Sequence, residues 1–144
     1  MRIVLDANVL VRANEKSRGP ARRLLLDLIA GKHVILTSAD ILVEVTRVLR
    51  YPRLQSLFSL SERQLYEYVQ FLKDVCEMVP AKFSWNFPIR DPSDTHVLTT
   101  AVVGEAESIC TLDSDFYTEE VAALCAMMRI TVLDDVAMLR RLHD

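Results

Sequence analysis

Ile3-Val4-Leu5-Asp6 is the stretch on which the fold turns. Three apolar residues, two of them β-branched, run straight into a carboxylate. A short apolar run of this kind reads as a strand buried on both faces. The pattern returns at Ser108-Ile109-Cys110-Thr111-Leu112-Asp113, where a second strand again ends on an aspartate. His33 to Thr37 and Ile130 to Leu133 are two further strand candidates. Between the strands the apolar period changes from continuous to helical.

A loop is expected after Leu5. Pro20 then stands at a first helical position and Gly31 just past the end, with Leu24, Leu25, Leu28 and Ile29 at helical spacing between them. Ser38 caps a helix whose apolar stripe is Ile41, Leu42, Val45, Val48 and Leu49, and Pro52 is expected to stop it. Ser61-Glu62-Arg63-Gln64 is a capping box opening a long helix through Val79, ended by Pro80. Residues 81–90 read as loop or irregular strand. Asp91-Pro92 opens a helix with Asp91 as cap, closing at Gly104. Thr118 to Met128 is a helix, and Asp134 caps the last one. Buried strands alternating with helices predict an α/β fold: a three-layer α/β/α sandwich with a central parallel sheet of four to five strands.

Length and composition agree. The 144 residues are expected to form a single domain, 1–144. With 51% apolar and 26% charged residues and three glycines, the chain is neither disordered nor collagen-like. Its longest uncharged stretch, Thr95 to Gly104, is far short of the roughly 18–20 residues of a membrane span. Asp6 interrupts the first apolar run, so no signal peptide is expected. Cys76, Cys110 and Cys125 match no metal-ligand spacing and fit buried thiols in a reducing cytoplasm.

The net charge of −3 argues against a broad basic surface, but the charge is uneven. Residues 1–72 carry 11 basic and 7 acidic side chains; residues 73–144 carry 6 and 13. In one early segment Arg12, Lys16, Arg18, Arg22 and Arg23 face only Glu15. A basic strip and an acidic region suit a polyanion held beside a cation-binding carboxylate cluster. A solvated loop and helix face is the plainer account of the same five residues.

The carboxylates decide more. Ligands of open parallel sheets bind beyond the carboxyl ends of the strands, where Asp6 and Asp113 stand. A single aspartate after a strand is usually a turn or cap. Glu44 borders the apolar stripe of its helix, beside Ile41 and Val48. Asp94 shares a face with Leu98 and Ala101, so it points toward the core, unless it serves only to cap its own helix. Asp6, Glu44, Asp94 and Asp113 come from four elements that can reach one corner. Such a cluster is unfavourable without cations. Carboxylate oxygens are hard ligands, and with no Cys or His beside them they suit Mg²⁺ or Mn²⁺ over Zn²⁺.

Four segments together resemble the successive motifs of PIN domains: Leu5-Asp6-Ala7-Asn8-Val9-Leu10, the helical Glu44, Asp91-Pro92-Ser93-Asp94, and Thr111-Leu112-Asp113-Ser114-Asp115-Phe116. They are most similar to the short stand-alone prokaryotic PIN proteins, including the VapC-type toxins of toxin–antitoxin modules. The resemblance implies a FEN-like fold and a metal-dependent endoribonuclease, a hydrolase of RNA phosphodiester bonds. It places the catalytic and metal-binding acids at Asp6, Glu44, Asp94 and Asp113, with Asp115 as a further metal ligand. Asn8 and Thr111 match its supporting polar positions. It implies one or two Mg²⁺ or Mn²⁺ ions, an RNA substrate, a cognate antitoxin, a homodimer and a cytoplasmic location. His96 stands where many relatives carry a small residue and is expected to be incidental.

Arg12, Lys16, Arg18, Arg22 and Arg23 are the candidate RNA-backbone contacts. Phe83, Trp85 and Phe87 alternate and can stack on bases, or fill a core edge or subunit interface. Two other readings compete. One is a catalytically idle PIN scaffold that binds RNA or a partner protein. The other is a HAD-like phosphotransferase, which also places an Asp after its first strand. Asn8 stands against the second, because it occupies the position of the usual general acid.

Overall fold

The computed structural model describes residues 1–80, 87–89 and 94–144. Strands β1 (Arg2–Leu5), β2 (Val34–Thr37), β3 (Glu77–Met78), β4 (Ser108–Cys110) and β5 (Thr131–Leu133) form a parallel sheet in the order β3-β2-β1-β4-β5. Helices α1 (Ala7–Arg12), α2 (Pro20–Ala30), α3 (Ala39–Leu49), α4 (Pro52–Phe58), α5 (Glu62–Val75), α6 (Thr95–Val103), α7 (Glu119–Met127) and α8 (Asp135–Leu142) flank it. The α/β class and the parallel sheet are as the sequence predicts, with five strands.

The local chemistry of the caps explains most boundaries. Pro20 sits in the first turn of α2, and Gly31 is its C-cap. The Ser38 side chain accepts a hydrogen bond from the Ile41 amide, and Asp134 accepts one from Ala137. Ser61 and Gln64 make the full reciprocal capping box. Each such cap is worth about 1 kcal/mol.

Three expectations need correction. The residues after Leu5 are not a loop but the one-and-a-half-turn helix α1, because the Asp6 carboxylate caps the Ala7 amide. Pro52 does not simply stop α3. Its fixed φ and missing N–H suit a first turn equally well, and it starts α4. The long helix ends at Val75 rather than Val79, and Glu77–Met78 pairs with β2 as an edge strand. This strand has only two residues and both are exposed, so no periodic signal marks it. Among the described residues α6 runs from Thr95 to Val103 and closes at Gly104, as expected. The expected cap Asp91, together with Pro92, Ser93, Phe83 and Trp85, lies outside the described residues. Phe87 is half-buried and packs against the core.

Ile3, Val4 and Leu5 are fully buried between helix layers, as are Leu24, Leu25 and Leu28 of α2. Burying one such side chain is worth about 1.5–3 kcal/mol. Gly104 is the C-cap of α6, and there a side chain has no room. A Cβ would lie 2.9 Å from the Thr100 carbonyl oxygen and 3.0 Å from both Leu36 and Val79. Its absence seats α6 close to β2.

The strand order also positions the site. The chain leaves β1 for β2 and β3 on one side, then returns to β4 and β5 on the other. The direction reverses between β1 and β4, and the crevice beyond such a switch point is where parallel sheets bind ligands.

Candidate active site

Leu5 pairs with Cys110 at the last register of β1 and β4. The Asp6 amide donates to the Cys110 carbonyl at 2.9 Å and carries the pairing one residue further. Asp6 and Thr111 therefore leave the sheet side by side. The Thr111 hydroxyl donates to Asp6 Oδ2 at 2.7 Å. The Ala7 amide donates to Asp6 Oδ1 at 2.6 Å, and Asn8 Nδ2 to Oδ2 at 3.3 Å.

The same groups reach across to the other strand end. Asn8 Oδ1 accepts from the Leu112 amide at 3.2 Å, and Thr111 Oγ1 accepts from the Asp113 amide at 3.1 Å. Asn8 and Thr111 thus tie the Asp6 turn to the Asp113 turn. Asp113 Oδ1 caps the following 3-10 turn, Ser114–Tyr117, by accepting from the Asp115 amide at 2.9 Å.

Asp6 is only 5% exposed. Burial pushes its carboxyl up to about 6, against the lowering effect of the Thr111 and Ala7 hydrogen bonds; the charges of Asp113 and Glu44 push the same way as burial. An anion under that pressure favours a nearby cation.

The structure brings Asp6, Glu44, Asp94 and Asp113 to the wall of one cleft of about 200 Å³. Each arrives from a different element. Asp6 and Asp113 follow β1 and β4. Glu44 projects from the middle of α3, and Asp94 stands at the start of α6. Asp94 is nearly buried, and among the described residues its side chain makes no capping hydrogen bond to α6. Asp94, Asp113 and Asp115 each offer an oxygen, and these atoms lie within 4.8 Å of one another. A set made only of carboxylate oxygens at that spacing fits a hard divalent cation.

The other expected residues lie elsewhere. None of Arg12, Lys16, Arg18, Arg22 and Arg23 lines the cleft. Arg22 Nη1 donates to the Ala13 carbonyl at 3.1 Å, Lys16 Nζ to the Ser59 carbonyl at 3.0 Å, and Arg23 pairs with Asp27 at 3.2 Å. The three cysteines are free and buried, and burial pushes the Cys76 thiol up to about 12.

Two residues of the cleft were passed over in the sequence. His96, expected to be incidental, lines the cleft, and its Nδ1 lies 3.3 Å from Oδ2 of Asp40, which lines it too. Asp40 stands four residues before Glu44, one turn away on the same helix face, and that spacing was a readable signal. Nothing local marks His96, whose partner is 56 positions away.

The chain belongs to the PIN domain family, whose model matches residues 2–115. Solved structures agree in fold. VapBC2 from Rickettsia felis, bound to a DNA fragment from their promoter, is similar with a TM-score of 0.61 at 14% identity, over 93% of this chain and 98% of that one. FitAcB from Neisseria gonorrhoeae is similar with a TM-score of 0.51 at 13% identity, over the same shares. A comparison with curated protein sequences gives no match.

Proposed function

We propose that this protein is a divalent-metal-dependent endoribonuclease, hydrolysing RNA phosphodiester bonds to leave a 5′-phosphate and a 3′-hydroxyl. One observation carries the reading: carboxylates from four separate elements line a single cleft at the switch point of the sheet. Mutual repulsion makes that arrangement costly for a fold that gains nothing from it.

Asp94, Asp113 and Asp115 would hold a Mg²⁺ or Mn²⁺ ion, with Asp6 and Glu44 completing the acidic wall. One or two such ions, when bound, lower the pKa of a water and neutralise charge developing on the phosphate. The chain's own residues prepare that chemistry. Thr111, Asn8 and the Ala7 amide fix both oxygens of Asp6, so its carboxylate needs no reorientation when substrate arrives. Glu44 pairs with Arg47, which holds its carboxylate at the rim of the cleft. The basic strip from Arg12 to Arg23 would meet the RNA backbone outside the cleft.

The likeness to VapBC2 and FitAcB supports a wider role. The protein acts as the toxin of a toxin–antitoxin module, as a homodimer in the cytoplasm, held by an antitoxin encoded beside it. Among the described residues no helix is long and apolar enough to cross a membrane.

The test is cleavage of single-stranded and structured RNAs by pure protein in Mg²⁺, in Mn²⁺ and in EDTA. Cleavage in metal and none in EDTA is expected. Equal cleavage in both, or none of any RNA with either ion, overturns the reading.

A further inference from the structure

The cleft has a second wall that the carboxylates do not explain. Asp40 sits in the first turn of α3, one turn before Glu44. His96 sits in the first turn of α6, two residues after Asp94. Their side chains meet across the gap, Nδ1 to Oδ2, at 3.3 Å. Both are about half exposed, 47% for His96 and 52% for Asp40, and both line the cleft. A pair this exposed does little for stability. It does, however, turn Nδ1 of the imidazole toward Asp40. With Nδ1 facing Asp40, the half-exposed ring leaves Nε2, which makes no hydrogen bond among the described residues. Among the described residues, His96 is the one nitrogen-bearing ring lining a cleft otherwise lined by acids, an amide and aliphatic side chains.

A carboxylate-lined cleft repels every phosphate that is not covered by a cation, so the polar group of an RNA strand that suits this wall is an uncharged one. The 2′-hydroxyl of ribose is such a group. It donates and accepts, so it can bond Nε2 whichever way the proton stands. DNA carries only hydrogen at that position, which can neither donate to nor accept from the imidazole.

Resting on the ribonuclease reading above, we propose that His96, oriented by Asp40, binds a ribose 2′-hydroxyl beside the scissile phosphate and is a determinant of RNA over DNA. His96 is then a specificity residue, and Asp40 is a positioning residue that acts through it. The alternative is that the pair merely clips α3 to α6.

The experiment compares the parent with His96→Ala, Asp40→Ala and His96→Gln. The probes are a random-sequence pool of single-stranded RNA and the corresponding DNA pool, cleaved in Mn²⁺ under single-turnover conditions. Losing one hydrogen bond of this kind should lower the RNA rate about three- to tenfold. The DNA rate should not change, so the ratio of the two falls by the same factor. Asp40→Ala should show a smaller fall of the same kind, and His96→Gln, which keeps a polar tip, should recover part of it. Mn²⁺ affinity and thermal midpoint should match the parent. RNA and DNA rates that fall together, or a variant ratio equal to the parent's, overturn the inference and leave the pair as a clip. A parent that cuts RNA without preference over DNA overturns it as well. A parent that cuts neither pool overturns the ribonuclease reading, and this inference falls with it.

Discussion

On the outer helices, carboxylates stand beside cations of the same chain. Asp27 meets Arg23 and His143, Glu62 meets Arg50, and Glu67 meets Arg63. At the carboxyl end of β1, Asp6 is held instead by a hydroxyl and two amides, with Asp113 and Glu44 as its charged neighbours. The two regions respond to pH with opposite signs. The hydrogen bond from His143 and the charge of Arg23 hold the Asp27 carboxyl below the usual carboxylate range, and the hydrogen bond from Arg50 does the same for Glu62. These outer acids favour the fold above their unfolded pKa, and that support is lost as pH falls. Asp6 is raised to about 6, so it favours the fold below its unfolded pKa near 4, and that support is lost as pH rises through 6. The outer acids bring their own counterions. Asp6, by contrast, is held by neutral donors and faces like charges, an arrangement that a divalent cation would relieve.

The sharpest break between the regions should be catalytic. Asp113→Asn is expected to reduce metal-dependent RNA cleavage by about a thousandfold, since several kcal/mol of transition-state stabilisation depend on a bound ion. Arg63→Ala should leave the rate unchanged. Single-turnover assays of both variants decide it, and a cleaving Asp113→Asn protein would remove that residue from the site.

Next in size is the pH response of the metal-free protein. Urea unfolding in EDTA should show Asp6 costing roughly 2 kcal/mol of stability between pH 4 and pH 7, most of the linkage value of a shift from 3.8 to about 6. Asp6→Asn should be nearly flat over that range relative to the parent, and more stable at pH 7. A variant that is less stable at pH 7 contradicts the burial argument.

Thr111→Val tests the donors in place of the acid. The hydroxyl is fully buried, donates to Asp6 and accepts from the Asp113 amide. Its loss should destabilise the protein by about 2 kcal/mol at pH 7, where Asp6 is ionised, and by less at pH 4.5. A loss of equal size at both pH values would mean that the hydroxyl serves packing alone.

The smallest effect should come from the outside. Arg63→Ala breaks an exposed i,i+4 pair with Glu67 and should shift stability by less than about 0.5 kcal/mol. A larger change would show that the outer pairs matter to the fold more than their exposure allows.

Much of this was legible before any coordinates. The apolar runs ending at Leu5 and Cys110, the helical stripe of α2, the Ser38 cap and the Ser61–Gln64 box all report local chemistry, which repeats wherever the same residues occur. They determined an α/β alternation, a parallel sheet, and acids at strand ends and on helix borders. What the local pattern misjudged was also local in appearance. Pro52 starts a helix as readily as it ends one, and the two exposed residues of β3 become a strand only because β2 offers them a free edge.

Only the tertiary structure decided which strands are neighbours. Sequence order does not put β4 beside β1, and that single adjacency joins Asp6 to Thr111 and Asp113 across more than a hundred positions. The same holds for Asp40 and His96, which nothing links until α3 and α6 pack together. Caps and periodicity act through bonds a few residues apart, so sequence carries them. The raised carboxyl of Asp6 and the grip of Asp40 on His96 depend on distances through space, and those exist only once the chain has closed on itself.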